Sequence, residues 1–335
     1  MSDIITLAHG NGGKLTHNLI KDIFVKHLSN DVLLQCDDSA QFTLPGGRMA
    51  FTTDSFVISP IFFRGGDIGK LSVCGTVNDL AASGAKPMYL SCGFIIEEGF
   101  SIQKLEQIVA SMGITAKECG VKIATGDTKV VQKGAVDQIF INTSGIGYVS
   151  GGIHISGSCA RPGDRVIVTG TLGDHGCSIL LERENLGIFS PVQSDCAPLN
   201  GLVERLLQVT RDIHVLRDPS RGGLATTLNE IAAQSGVGIQ LYEDKIPVRE
   251  EVRGVCELLG LDPLYMANEG KMIVIVPESI TEAVLQVLKQ ENYGTEAAVI
   301  GKVVEGPAKR VTMKTITGGN RVIDMLVGDQ LPRIC

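Results

Sequence analysis

The sequence predicts an α+β fold built as a two-domain subunit, and three observations carry that expectation. The chain has 335 residues, and domains usually run to roughly 100–200 residues. Trp is absent and aromatic residues make up 4% of the chain. Its interior must therefore be packed mainly by Val, Ile, Leu and Ala, which suits mixed helix and sheet better than an aromatic recognition module. Near the middle, ARPGDRVIVTG reads as a restart: Pro162-Gly163-Asp164 is a turn and RVIVTG opens a new strand.

The elements follow in order from the N-terminus. After the glycine-rich opening HGNGGK, apolar residues recur at Leu15, Leu19, Ile23 and Leu28, the spacing of an amphipathic helix. RMAFTTDSFVI and MYLSCGFII read as strands. Between them GDIGKLSVCGTVNDLAASG reads as a helix of small residues ended by Gly84, because glycine stops helices. A further helix is expected over 103–118, and strands at KIATGDTKVV and DQIFINTSGIGYV complete the first half. Beyond the restart, helices over 199–209, 224–234, 250–259 and 280–289 alternate with the strands GIQLY, KMIVIV and EAAVIGKVV. We expect an N-terminal domain over 1–155, a C-terminal α+β domain over 156–317 and a mobile tail over 318–335, where periodicity is weak.

Composition excludes several classes. The formal net charge is −7 and no Lys/Arg block stands out, which argues against a nucleic-acid partner, whose phosphates need clustered cations. The start, MSDIITLAHG, lacks the basic segment and long apolar core of a signal peptide. Runs such as MIVIV fall far short of the roughly 20 residues that span a bilayer. A cytoplasmic protein with no membrane contact is expected. Of nine cysteines none forms a CxxC pair, so zinc and iron–sulfur spacings are missing. Most sit in apolar stretches and read as buried free thiols. Cys335 differs, because no residue follows to bury it.

Carboxylates recur on strand ends and turns. Asp37 and Asp38 lie in QCDDSAQF, Asp54 in FTTDSF, Asn78 and Asp79 in GTVNDLAASGAKP, and Asp127 with Thr128 and Lys129 in IATGDTKVV. Hard oxygens gathered from several elements are what Mg²⁺ needs, and Mg²⁺ usually arrives with nucleotide phosphates. Taken singly, each Asp has an ordinary reading as a cap or turn residue. Asp79 resists it, because an unpaired carboxylate inside a small, apolar helix is costly. Neither GxxxxGK[ST] nor GxGxxG occurs, so neither a P-loop nor a dinucleotide fingerprint is present. HGNGGK, with Gly12, Gly13 and Lys14, could offer backbone N–H groups to an anion, or be a loose terminus. In LRDPSRGGLATTLNE, Asp218 sits on a turn before Arg221, two glycines and a helix whose N-terminus could receive an anion. Glu269, in the polar break MANEGKM, is a base or a turn residue. His9, His17 and His175 could approach a nucleotide or the tail, and surface or capping roles suit them as well.

Together HGNGGK, CDDSA, TTDSF, VNDLAASGAKP, ATGDTKVV, RDPSRGGLA, NEGK and the terminal PRIC run the length of the chain. The sequence resembles the superfamily of aminoimidazole ribonucleotide synthetase, selenophosphate synthetase and thiamine-monophosphate kinase, and within it the HypE family of hydrogenase maturation factors. The resemblance implies a synthetase-like subunit whose N-terminal mixed sheet dimerises into a barrel-like interface, a C-terminal α/β sandwich, and a flexible tail. It implies ATP between the two domains, with Asp38, Asp54, Asp79 and Asp127 gathering Mg²⁺ and the triphosphate. Asp37 and Asn78 would be neighbours, Asp218 would assist, and Gly12, Gly13, Lys14, Thr128 and Lys129 would lie by the phosphates. The implied activity is ATP-dependent dehydration of a carbamoyl group on Cys335 to a thiocyanate. HypF would deliver the carbamoyl group, and the HypC–HypD complex would receive the cyanide destined for [NiFe] hydrogenase. In that reading Lys129 is the cation facing the phosphoryl group and Glu269 the base. The tail must move. From Gly328 to Cys335, seven extended steps of about 3.3 Å reach roughly 23 Å; Gly328 is a candidate hinge and Ile334 an apolar anchor. Two alternatives stay open: a phosphotransferase acting on a small acceptor such as selenide, and a non-catalytic ATP-binding scaffold. The first cysteine, Cys36, lies well after HGNGGK, which counts against the selenide reading.

Overall fold

The structure, a computed structural model, describes residues 4–35, 39–183, 188–306, 309–328 and 334. The expected amphipathic helix runs from α1 (Lys14–Leu19) through a π-helical stretch (Ile20–Val25) into α2 (Lys26–Leu28). Leu19, Ile23 and Leu28 are buried as their spacing requires, while Leu15 is exposed. The strands that follow are β1 (Arg48–Phe56), the short pair β2 (Phe62–Phe63) and β3 (Gly66–Asp67), and β4 (Ala85–Glu97). Helices α3 (Ile68–Ala82) and α4 (Ile102–Cys119) flank β4 in sequence, and β5 (Lys122–Val131) and β6 (Ile139–Val149) close the first half.

β1, β6, β4 and β5 form one sheet in that order, antiparallel except between β4 and β5. One face carries Phe56, Leu90, Phe94, Ile139 and Ile141 into a core shared with α3 and α4. Side chains alternate across a strand, so Phe51, Thr53 and Ser55 of β1 and Ile95 of β4 fall on the other face. Phe51 is 71% exposed and Ile95 43% exposed in the single chain.

The second half begins with β7 (Arg165–Val168) and α5 (Asp174–Arg183), then α6 (Asn200–Val209), β8 (Val215–Arg217) and α7 (Gly223–Ser235). β9 (Gly238–Tyr242), α8 (Glu250–Leu259), β10 (Ile273–Val276), α9 (Thr281–Gln290), β11 (Ala298–Val304), β12 (Val311–Lys314) and β13 (Asn320–Ile323) complete it. These strands form a seven-stranded sheet, ordered β13-β12-β9-β11-β7-β10-β8. Val166, Val168, Ile273 and Ile275 pack on α7, whereas Ile167, Val274 and Val276 pack on α6 and α9. Both faces are covered, which is why RVIV and IVIV read as unbroken apolar runs rather than alternating ones.

Two sequence expectations need correction. The tail was expected from Gly318, yet Asn320–Ile323 pair with β12 as an edge strand and Ile323 is fully buried. A four-residue strand carries too little periodicity to stand out from a tail. The strands β8 and β12 were not foreseen for the same reason, and α5 was missed because GDHGCSILLER mixes glycine and polar residues with its apolar ones.

Candidate functional site

β1, α3, β8 and the turn before α7 surround a cleft of about 630 Å³, within the range of small-molecule sites. Thr52, Asp54, Asp79, Arg217, Asp218 and Arg221 are among its lining residues. β1 presents Asp54 on the face that meets α3, and Asp79 reaches the cleft from the last turn of that helix. Thr52 Oγ1 donates to Asp79 Oδ2 at 2.8 Å, and Arg221 Nη2 donates to Asp54 Oδ1 at 2.9 Å. Burial is the main force on both acids. It raises Asp54, with Arg221 opposing, and together with repulsion from Asp218 and Asp54 it pushes Asp79 from 3.8 to about 6. Crowded carboxylates of this kind favour a cation that shares their oxygens. The chain then turns into α7 through Gly222 and Gly223, both at positive φ. A Cβ on Gly223 would lie 2.5 Å from the Leu264 carbonyl oxygen, so only glycine fits where α7 offers its first N–H groups beside the cleft.

The other candidate phosphate residues lie elsewhere on the subunit. Asp54 pairs across the sheet with Thr143, which faces the core; Asp127 pairs through Gly93 with Asn142 on the opposite face. Asp127 is also three strands from β1, roughly 14 Å at about 4.8 Å per spacing. Its carboxylate is held below the usual range by Lys129, whose Nζ sits 2.9 Å away. Gly10 lies against Val130 of β5, so HGNGGK, with Gly12, Gly13 and Lys14, borders the Asp127 end. Within the opening His9 Nδ1 accepts from the Thr6 backbone N–H and Thr16 Oγ1 from the Gly12 N–H, both at 3.0 Å. The expected quartet of metal ligands is therefore not assembled within one subunit. Asp127 is separated from Asp54 and Asp79, and Asp37, Asp38 and Cys335 lie outside the described residues. Among the described residues no group of three or more His, Cys, Asp or Glu side chains is arranged to hold a metal ion.

Asn78 also departs from expectation. It is buried, its Nδ2 donates to the carbonyls of Ala197 and Glu269 at 3.0 and 3.2 Å, and its Oδ1 accepts from Leu199 N–H at 2.8 Å. Both amide hydrogens are committed, so it staples the two domains instead of facing a nucleotide. Glu269 sits behind that staple, 5% exposed. Its N–H donates to Asp195 Oδ1 at 3.1 Å, and Asp195 Oδ2 is 3.4 Å from Lys271 Nζ. A Cβ on Gly270 would stand 1.8 Å from the Asp195 carbonyl oxygen, so that approach also requires glycine.

The tail returns to the same neighbourhood. The Ile334 carbonyl oxygen accepts from His175 Nε2 at 2.9 Å, and His175 Nδ1 lies 2.7 Å from Ser194 Oγ. Ile334 packs, partly buried, on the core of the first domain. Thr52, Arg221, Ser194 and Asp195 were not singled out as site residues from sequence. For Arg221 the signal was present in RDPSRGG; for the others the proximity is created only by folding.

Fold and cleft together define a two-domain protein of the AIR synthase related class. The family model described as AIR synthase related protein, N-terminal domain, matches residues 36–149, and the C-terminal domain model matches 161–314. A thiamine-monophosphate kinase from Stenotrophomonas maltophilia shares this fold with a TM-score of 0.67 at 22% identity, over 88% of this chain and 95% of its own. The particular branch is clear from nearer relatives: the chain belongs to the HypE family. It is 53% identical to carbamoyl dehydratase HypE of Azotobacter vinelandii, over 99% of this chain and 97% of that protein. The HypE of Escherichia coli K12 is 48% identical over 99% of each. A HypE crystal structure in complex with ATP superposes with a TM-score of 0.95 at 52% identity, covering 98% of this chain and 99% of the other. A HypE chain solved in a HypE–HypF complex gives 0.82 at 50% identity, over 92% and 99%. Among the described residues no helix is long and apolar enough to cross a membrane.

Proposed function

We propose that this protein is an ATP-dependent carbamoyl dehydratase that converts an S-carbamoyl group on Cys335 to a thiocyanate, supplying cyanide for [NiFe] hydrogenase. The chemistry is balanced by the nucleotide. An amide oxygen is a poor leaving group; transfer of the γ-phosphoryl group makes it part of phosphate, a good one. The two N–H protons leave, the carbon–oxygen bond breaks, and S–C≡N, ADP and phosphate remain. Asp54 and Asp79, with Asp218 assisting, would share Mg²⁺ with the oxygens of the triphosphate itself, and the ion would offset charge on the transferring group. The lifted Asp79 supports that assignment, because a divalent cation relieves the repulsion among these acids. Arg221 ties Asp54 in place. Glu269 is our base, held in a buried site from which bulk water is excluded.

The observation that carries the reading is the return of Ile334, the residue before Cys335, to His175. From there Ser194 and Asp195 lead directly to the Glu269 backbone. Intact-protein mass spectrometry with a carbamoyltransferase of the HypF type, carbamoyl phosphate and ATP tests it. We expect a carbamoyl adduct on Cys335 that loses the mass of water only with ATP. The same adduct on a Cys335→Ala variant would sink the assignment.

Asp127 and Lys129 belong to this mechanism through a homodimer. The open face of the first sheet carries both, together with exposed Phe51 and Ile95, and pairing two such faces would bring one subunit's Asp127 toward the other's β1 cleft. Delivery of the carbamoyl group by HypF is supported by the relative solved in a HypE–HypF complex, and we propose HypC–HypD as the receiver of the cyanide. We place the protein in the cytoplasm, where the free thiols among its described cysteines would stay reduced.

A further inference from the structure

We infer that His175 is a positioning residue that grips the tail by the peptide carbonyl preceding Cys335. The inference rests on Cys335 as the carrier and adds how the tail is held.

The hydrogen-bond chain has one consistent direction. A carbonyl oxygen can only accept, so the bond to Ile334 requires the proton on Nε2 of His175. Nδ1 of the neutral ring is then an acceptor, and the Ser194 hydroxyl 2.7 Å away donates to it. Ser194 Oγ in turn accepts from Cys196 N–H at 3.0 Å, and the Ser194 backbone N–H donates to the Arg64 carbonyl at 2.8 Å. The relay Cys196 N–H to Ser194 O–H to Nδ1 thus fixes the tautomer that points a donor at the tail. Phe63 meets the imidazole edge-on, with centroids 5.6 Å apart and planes at 86°, and fixes the ring's tilt. The ring is fully buried, and burial pulls its pKa down, which keeps it neutral at physiological pH.

Ile334 is 159 residues from His175 in sequence and has two points of attachment: its carbonyl on Nε2 and its side chain on the apolar core of the first domain. A buried N–H left without an acceptor is costly. Departure of the tail would strip His175 Nε2 of the acceptor described for it, so the grip biases the tail toward the docked state. Ser194 is followed by Asp195, which holds the Glu269 N–H. One short segment therefore fixes both the tail and the candidate base.

The test separates grip from chemistry. Trypsin cleaves after Arg333, and intact mass reports the loss of Ile334-Cys335. In His175→Phe, which keeps a ring but lacks the donor, this cleavage should run about tenfold faster than in the wild type. Dehydration of pre-carbamoylated protein should slow by a similar factor, while ATP affinity and the rate of carbamoyl loading do not fall. His175→Gln, whose side-chain amide reaches the Nε2 position, should restore most of both effects. Ile334→Ala, which leaves the core sequence intact, should also raise cleavage and slow dehydration if His175→Phe folds poorly. Equal cleavage and dehydration rates in wild type, His175→Phe and Ile334→Ala would overturn the inference, as would a slowing explained entirely by weaker ATP binding. Protection of the Arg333 bond without any adduct on Cys335 would instead refute the carrier reading and leave the grip standing.

Discussion

Asp79 lies in the last turn of α3, and its chemistry is set by what folding puts beside it. Burial dominates, then the charges of Asp218 and Asp54, and the Thr52 hydroxyl and Arg221 only partly compensate. In the nucleotide-free protein its carboxyl should titrate near 6 by carbon-13 NMR, and Asp218→Asn should move it down. The sign for stability follows. The folded pKa lies above the unfolded one, so the native state binds this proton more tightly. The group's contribution is fully present below about pH 4 and is lost as pH rises through about 6. A titration in the ordinary carboxylate range, unmoved by Asp218→Asn, would refute this account. The sequence already marked Asp79 as a carboxylate in an apolar helix. It could not show the two acids that raise it, because Asp54 and Asp218 come from a strand and a turn far away in the chain.

At the scale of the element, α3 is the part on which the domains meet. It packs on its own sheet and on α6 of the second domain, with Ala81 in the core beside α6. A helix covered on nearly all sides has no use for a polar stripe, which is why KLSVCGTVNDLAAS is rich in small and apolar residues. Asn78 is the polar exception, and all its described bonds run to backbone groups of the second domain. Asn78→Ala would leave the Ala197 and Glu269 carbonyls and the Leu199 N–H without this partner. We expect a loss of about 2–4 kcal/mol in urea unfolding. A change under about 0.5 kcal/mol would refute the staple. Small residues and the closing Gly84 made the helix legible, but the partner of a single buried amide has no sequence signal.

At the scale of the whole molecule, the candidate phosphate residues fall on two faces of one sheet, and the twofold dimer proposed above would reunite them. The prediction concerns mixed dimers. Asp79→Asn and Asp127→Asn homodimers should each lose water-elimination activity while still accepting the carbamoyl group. Mixed by refolding, half the dimers contain one of each chain, and each of those has one intact site, so about a quarter of wild-type activity should return. No recovery would place Asp127 outside the partner's site.

The sequence by itself determined the two-domain α+β plan, most of the elements and the family. Those features rest on periodicity, glycine and proline punctuation, and short motifs, all of which are local. Tertiary structure alone decided that Ile323 closes a sheet edge, that Asn78 serves the domain junction, that Asp127 and Asp79 face different ways, and that His175 receives the tail. The separations run from 12 positions for Ile323 and Val311 to 159 for His175 and Ile334. The physical reason is common to all four: hydrogen bonds, charge and burial act through space, and only the packed chain fixes which distant groups share it.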